Sequence, residues 1–128
     1  MKTYARPAAA LLCLALGACS DSALSVVCPG VMRPSLLVNV LDSISGQSAA
    51  AQARGWWTSG TRTDSLRHVP PTTGEGAVLL AAYGPPGLYD VRVEVAGRPD
   101  WIANGIVVTE GSCGPDARDL VAQFTVSP

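Results

Sequence analysis

The sequence predicts an all-β fold, an antiparallel sandwich of about seven strands, behind a cleaved N-terminal signal peptide. Short segments with a two-residue apolar period recur from residue 35 onward, bounded by turn-forming glycine, proline, aspartate and serine. We find no segment with a sustained 3.6-residue period and helix caps. At 128 residues and 48% hydrophobic content, the chain is long and apolar enough for one domain with its own core.

The first predicted strand is SLLVNVLD, which places Leu36, Val38 and Val40 on one face. A turn follows over 42–49, with Gly46 as its left-handed residue. The remaining predicted strands, in chain order, cover residues 51–59, 62–69, 77–84, 89–95, 101–111 and 118–126.

Several of these strands carry specific expectations. Gly55 predicts a bulge or interruption in the second strand, and the polar segment 62–69 is expected to be an edge strand or an irregular excursion. Segment 77–84 is rich in alanine and leucine, which also suit a helix, but its brevity and its flanking glycines and prolines favour a strand. Gly105 predicts that 101–111 forms a strand pair.

Residues 1–18 have the features of a signal peptide. Lys2 and Arg6 precede PAAALLCLALGA, an apolar region of about a dozen residues. This region is shorter than the roughly 20 apolar residues of a transmembrane helix. We expect removal of 1–18, which leaves a tether and its loop at 19–34 and the β-sandwich at 35–128.

Leu16-Gly17-Ala18-Cys19 resembles the lipobox of bacterial lipoproteins. In that family the cysteine thiol receives a diacylglycerol and, after cleavage, becomes the N-terminus. The resemblance implies lipidation of Cys19 and stable anchoring in the cell envelope, since two or more acyl chains hold a protein firmly. If the cell is Gram-negative, the resemblance implies that Ser20 after the cysteine directs the protein to the outer membrane. The alternative is an ordinary secretory signal with a free or disulfide-bonded Cys19.

The other cysteines are separated by their positions. Cys13 lies in the signal peptide and would be lost with it. Cys28 and Cys113 form an even pair in an oxidising compartment, which predicts a disulfide that closes an 85-residue loop. A metal site built from this pair and His68 is the competing interpretation, but it lacks the C-x-x-C spacing of zinc sites.

The charge of the mature chain narrows the classes of partner. Without residues 1–18 it keeps seven arginines, no lysine and ten acidic residues, a net charge of −3. No basic cluster is evident in the sequence. This composition disfavours binding to nucleic acid and electrostatic docking on anionic lipid.

LLVNVLDSISGQSA resembles the opening motif of carboxypeptidase regulatory-like domains, which are transthyretin-like (prealbumin-like) β-sandwiches. GPPGLYDVRVEVAGRPDWIANGIVVTEGSC is similar to the Gly-x-Tyr-x-Val block of the same family. The resemblance covers most of 35–126 and implies an accessory, non-catalytic module in which Tyr89 is a core tyrosine bonded to backbone. The chain departs from the family at Ser45, Ser48 and Arg98.

The adjacent tryptophans are the candidate ligand contacts. On a strand, one of Trp56 and Trp57 faces the core and the other faces outward. An outward tryptophan stacks on sugars or contacts proteins; the alternative is one covered by a loop or by Arg54. His68, the only histidine, is needed for any Ser-His-Asp triad, but its setting predicts a solvated loop or edge residue.

Together these patterns predict a non-enzymatic, membrane-anchored envelope lipoprotein whose sandwich is a structural or protein-interaction module. Carbohydrate binding through Trp56 or Trp57 is the alternative, and a small hydrolase using His68 is a third. We expect no cofactor, no metal and no nucleic acid. The expected partners are the membrane, through the lipid, and another envelope protein or a glycan.

Overall fold

The computed structural model describes residues 27–70 and 78–125, so the signal peptide, Cys13 and Cys19 lie outside the described residues. The described chain is nearly all β, as the sequence predicts, but it contains ten strands rather than about seven, with one 3-10 turn at Ala50–Gln52. The strands are β1 (Leu36–Asp42), β2 (Ala53–Ser59), β3 (Arg62–Ser65), β4 (Arg67–Val69), β5 (Leu79–Ala82), β6 (Gly87–Val95), β7 (Trp101–Val108), β8 (Glu110–Gly111), β9 (Gly114–Pro115) and β10 (Arg118–Phe124).

Eight of these strands form two four-stranded sheets. The first sheet has the order β10-β1-β5-β4 and the second has the order β3-β2-β6-β7, while β8 and β9 form a separate hairpin. The inward-facing side chains of both sheets make one core, because alternate residues of each strand point to the same face. Its largest fully buried members are Trp57, Tyr89 and Phe124.

One strand pair departs from the antiparallel expectation. β1 and β10 run parallel, with Leu36 opposite Arg118 and Asp42 opposite Phe124. The Arg118 N–H donates to the Ser35 carbonyl at 3.0 Å, so the two strands enter their sheet side by side at the same end. Parallel strands need a long connection between them, and here almost the whole domain lies between β1 and β10.

The edge position predicted for 62–69 is confirmed, but the segment divides between the two sheets. β3 pairs with β2, β4 pairs with β5, and the chain crosses from one sheet to the other at Leu66. Leu66 is buried and its N–H donates to the Gly55 carbonyl at 2.7 Å. The segment from β3 through Leu66 to β4 therefore connects one edge of the second sheet to one edge of the first.

The bulge predicted at Gly55 is wrong, because β2 pairs with β6 without interruption through that residue. The glycine serves close packing instead. A Cβ at this position would lie 2.5 Å from Leu66 Cδ1 and 2.8 Å from the Arg92 carbonyl oxygen. The sheet crossing at Leu66 therefore requires a residue without a side chain here.

The strand pair predicted around Gly105 is also wrong, because β7 is one strand that continues to Val108. Its register with β6 shifts between Tyr89 and Val91, as in a β-bulge. Gly105 has a φ of 67°, and its N–H donates to an Asp90 carboxylate oxygen at 3.0 Å. The glycine therefore bends a strand rather than ending it.

The turn predicted at 42–49 is confirmed, with Gly46 at a φ of 69°. The Asp42 carboxylate accepts hydrogen bonds from the N–H groups of Ile44 and Ser45 at 2.9 and 3.0 Å. This Asx-type arrangement gives the aspartate and glycine of DSISG a structural role in the turn. The next predicted loop, at 70–76, lies almost wholly outside the described residues.

Candidate functional site

The two adjacent tryptophans point to opposite faces of the second sheet, as strand geometry requires. Trp57 is only 1% exposed and belongs to the core, whereas Trp56 faces outward and is partly buried. The inward face of β2 carries Ala53 and Gly55 beside Trp57. Small residues on that face leave room for the large indole. Their positions therefore determine which alternate side chains of β2 face the core.

Trp56 borders a shallow depression on the outer face of the second sheet. The depression has a volume of about 270 Å³, and polar side chains from β6 and β7 share its lining. Cross-strand register places Arg92 beside Trp56 and Ile102 beside Arg92, so an aromatic ring, a cation and an aliphatic group form one row. We call the outer surface formed by Trp56, Leu88, Arg92, Ile102 and Val107 the Trp56 face.

Hydrogen bonds hold the polar groups of this surface in place. The Arg92 guanidinium forms an ion pair with Asp100 and lies 3.2 Å from a Glu94 carboxylate oxygen. The Asp90 carboxylate is fixed by the N–H of Gly105. Side chains oriented in this way lose less conformational freedom when a ligand binds.

Exposed aliphatic side chains extend the Trp56 face along β6 and β7. Leu88 is 62% exposed and Ile102 is 59% exposed, and Leu88 lies directly opposite Val107. Single exposed hydrophobic residues are common on protein surfaces, but this group shares one face with a tryptophan and an arginine. Tryptophan and arginine are the residues most enriched where proteins bind one another.

Tyr89 and Trp57 form the centre of the core beneath this face. Their ring centroids lie 5.1 Å apart at an interplanar angle of 41°, and the Tyr89 hydroxyl donates to the Pro85 carbonyl at 2.5 Å. The structural role predicted for Tyr89, a buried ring with its hydroxyl bonded to backbone, is confirmed. The chain from Gly84 to Gly87 is thereby tied to the sandwich.

His68 lies exposed on edge strand β4, which confirms the predicted edge position, but its ring is held by backbone groups. Its Nε2 atom lies 3.0 Å from both the Ala50 and the Ala53 carbonyl oxygens. Because both partners only accept, Nε2 carries the hydrogen and donates to them. The imidazole therefore ties the 3-10 turn to β4, and this nitrogen is not available to take a proton from a nucleophile.

The predicted disulfide between Cys28 and Cys113 is confirmed. Their Cα atoms are 5.2 Å apart, within the usual range for a disulfide. Cys113 lies in the β8–β9 hairpin, so the bond joins the segment before β1 to the segment before β10. Within 27–70 and 78–125, no three His, Cys, Asp or Glu side chains cluster as metal ligands do.

An ion pair that no sequence pattern predicts lies at the end of the sandwich opposite the disulfide. Arg98 Nη2 lies 2.5 Å from Asp42 Oδ2, and both side chains are largely buried. The Ser45 and Ile44 N–H groups, followed by Arg98, lower the pKa of Asp42 to about 2. The pair joins the β6–β7 turn to the end of β1, and no local pattern connects residues 56 positions apart.

No helix of the described ranges has the length and apolarity needed to cross a membrane. No family model matches this chain, and no curated protein matches it. The functional assignment therefore rests on the residues themselves: the N-terminal motif, the disulfide, and the surface chemistry of the sandwich.

Proposed function

We propose that this chain is a lipid-anchored protein of the bacterial cell envelope whose β-sandwich is a non-enzymatic structural or protein-interaction module. The Cys28–Cys113 disulfide is the observation that carries the proposal, because structural disulfides form in exported proteins. Residues 1–18 supply the export signal that such a protein needs. The lipobox-like sequence that ends at Cys19 supplies the anchor.

The spacing between Cys19 and Cys28 supports a short anchor. The two cysteines are nine positions apart. A fully extended chain of that length spans about 30 Å, at roughly 3.3–3.6 Å for each residue. Since Cys28 is covalently bonded to the sandwich through Cys113, a lipidated Cys19 holds the domain within about one domain diameter of the bilayer.

We further assign the sandwich to the carboxypeptidase regulatory-like type as part of this proposal. The resemblance of its motifs is supported by their roles in the fold: Asp42 and Gly46 build the first turn, and Tyr89 anchors the loop before β6. Such domains are accessory modules, which favours a partner on a separate molecule. The Trp56 face offers the apolar and cationic groups that protein interfaces favour.

The anchor is tested by the mass of the N-terminus of protein extracted from its own membrane. We expect mature protein that starts at Cys19 and carries a diacylglycerol, with or without a third acyl chain. A Cys19→Ser variant should leave the membrane fraction, because it lacks the thiol that is lipidated. An unmodified Cys19, or a mature chain that starts at another residue, would contradict the anchor.

Carbohydrate binding is the second candidate function, and the depression beside Trp56 favours it. An indole that borders a cleft with Asp90, Arg92 and Asn104 combines a stacking surface with groups that hydrogen-bond hydroxyls. The same face contains Leu88 and Val107, which lie outside that lining. Substitutions can therefore separate a sugar site from a protein interface.

We expect Trp56→Ala to weaken ligand binding by at least about tenfold, since a central aromatic contact often contributes 2 kcal/mol or more. Binding is measured against a panel of oligosaccharides and, in parallel, as crosslinks to envelope proteins. If the partner is a protein, Leu88→Ser combined with Val107→Ser also abolishes the crosslinks; if it is a glycan, the same pair leaves binding intact. Binding that survives Trp56→Ala in both assays would exclude the Trp56 face.

A further inference from the structure

The end of the sandwich that carries the Cys28–Cys113 disulfide, here called the disulfide end, displays unusually exposed apolar side chains. Val27 is 87% exposed, Val31 is 68% exposed and Met32 is 75% exposed. All three lie within six residues of one another. They belong to the tether and its loop, 19–34, so among the described residues the apolar side chains closest in sequence to Cys19 are highly exposed.

Three arginines from separate parts of the chain meet beside these residues. Arg33, Arg62 and Arg67 line a depression of about 430 Å³, together with Met32 and Tyr83. None of the described residues that line it is acidic. The expectation that the protein has no basic cluster is therefore wrong, because folding gathers arginines that the sequence separates by up to 34 positions.

Aromatic rings hold two of these guanidinium groups in position. The Arg62 guanidinium carbon lies 5.3 Å from the Trp57 ring centroid, and that of Arg67 lies 5.5 Å from the Tyr83 ring centroid. Stacking of this kind orients a guanidinium and leaves its N–H groups free to donate. Oriented guanidinium groups bind phosphate through paired hydrogen bonds.

Two carboxylates lie near the depression, but neither of them lines it. Asp64 lies 3.9 Å from Arg62, and both side chains are highly exposed, so this ion pair is weak. Asp116 borders a neighbouring depression that Arg33 also lines, but it does not line the one where the arginines meet. The depression therefore suits a phosphate-bearing partner.

The course of the chain keeps this end within reach of the bilayer when Cys19 is lipidated. Val27 follows Cys19 by eight residues, a reach of at most about 28 Å, whereas the Asp42–Arg98 pair lies at the other end of the strands. The nine residues of β6 alone extend over about 30 Å. A lipid on Cys19 therefore confines the disulfide end to within about 28 Å of the membrane, whereas the Asp42–Arg98 end is restrained less closely.

We propose that the disulfide end rests on the bilayer, with Val31 and Met32 among the lipid headgroups and Arg33, Arg62 and Arg67 bound to the phosphates of anionic lipids. This placement rests on the proposed anchor at Cys19. Each arginine near an anionic surface adds to the attraction, which is enough to orient a domain that is already tethered. The Asp42–Arg98 end then points away from the membrane.

Met32 supplies a single-site probe for this contact, because the only other methionine is Met1 in the signal peptide. The lipidated protein is placed in vesicles of phosphatidylcholine alone or with phosphatidylglycerol, and flotation measures how much is anchored. Oxidation of Met32 by neutral hydrogen peroxide is then followed by mass. We expect at least threefold slower oxidation on the phosphatidylglycerol vesicles.

Two test variants and one control variant each remove one arginine. Arg33→Gln and Arg67→Gln should bring the rate of Met32 oxidation on phosphatidylglycerol close to the rate on phosphatidylcholine. Arg54→Gln removes the same charge from β2, away from this depression, and should leave the protection unchanged. Equal effects of all three substitutions would indicate non-specific attraction and would overturn the docking.

Two failures are distinguishable. Protein that floats with both vesicles but oxidises at the same rate on each keeps its anchor and lacks the contact, which overturns this proposal alone. Protein that does not float with either vesicle overturns the anchor and the docking together. Protection of Met32 by inorganic phosphate on phosphatidylcholine vesicles would identify a site for free phosphate and would also overturn docking on the bilayer.

Discussion

Replacement of Gly84 by alanine is expected to lower the free energy of unfolding by about 3 kcal/mol, although it adds only one methyl group. A Cβ at this position would collide with the Tyr89 hydroxyl and lie 2.7 Å from Trp57 Cη2. Both rings are fully enclosed, so neither has space to retreat. The expected loss combines overpacking of the core with weakening of the bond from Tyr89 to the Pro85 carbonyl.

Urea denaturation followed by circular dichroism measures this loss. Gly30→Ala is the matched control, because no atom lies within 4 Å of the added Cβ and the backbone there is not left-handed. Its effect should stay within about 0.5 kcal/mol. Tyr89→Phe removes the colliding hydroxyl, so Gly84→Ala should cost less in that background. A Gly84→Ala protein as stable as the Gly30→Ala protein would refute this account of the core.

The predicted strands were recovered where the apolar period is local. β1 and β10 show a two-residue alternation that needs no knowledge of the rest of the chain, and their inward residues Val38 and Phe124 are buried. The structural role of Tyr89 also follows from a short motif. Alternation likewise requires Trp56 and Trp57 to face opposite ways, but it does not specify which of them is inside.

The errors and omissions depend on long-range contacts. The parallel pairing of β1 with β10 joins residues about 80 positions apart, and no local pattern encodes the direction of such a pair. Gly55 and Gly105 were both recognised as special, yet their roles depend on Leu66 and Asp90, which belong to other strands. The sequence therefore marked both positions as special but did not reveal what each glycine does.

The functional features likewise include one that the sequence predicts, the disulfide, and one that it does not, the arginine cluster. The cysteine pairing follows from position and compartment, because only two cysteines remain after the signal and the lipobox are assigned. The meeting of Arg33, Arg62 and Arg67 does not follow from the sequence in this way. It depends on the sheet crossing at Leu66, which brings β3 and β4 to the same end as the chain before β1. Net charge conceals such a cluster, because acidic residues elsewhere balance it.

Removal of the disulfide is expected to destabilise the fold and to slow its formation. Chain-entropy arithmetic gives about 4.6 kcal/mol for an 85-residue loop. We expect a smaller loss of about 3 kcal/mol, because Cys28 lies in an exposed segment eight residues before β1 and constrains the core only indirectly. The same bond holds together the segments that precede β1 and β10.

Folding kinetics should therefore respond as well as equilibrium stability. The parallel β1–β10 pair closes a loop from Leu36 to Arg118, nearly the loop that the disulfide has already closed. Without the bond, this closure entropy has to be overcome during folding, and non-local pairing is the slow step in β proteins. Cys28→Ser combined with Cys113→Ser should refold more slowly, in addition to unfolding at lower urea.

Stopped-flow refolding and unfolding of the oxidised protein, the reduced protein and the double variant measure the two effects separately. The reduced protein and the double variant should agree, since both lack the same covalent constraint. Gly84→Ala provides a comparison of similar equilibrium loss without any change in loop closure. If the double variant loses stability only through faster unfolding, with an unchanged refolding rate, then β1 and β10 pair after the transition state and the disulfide does not assist their closure.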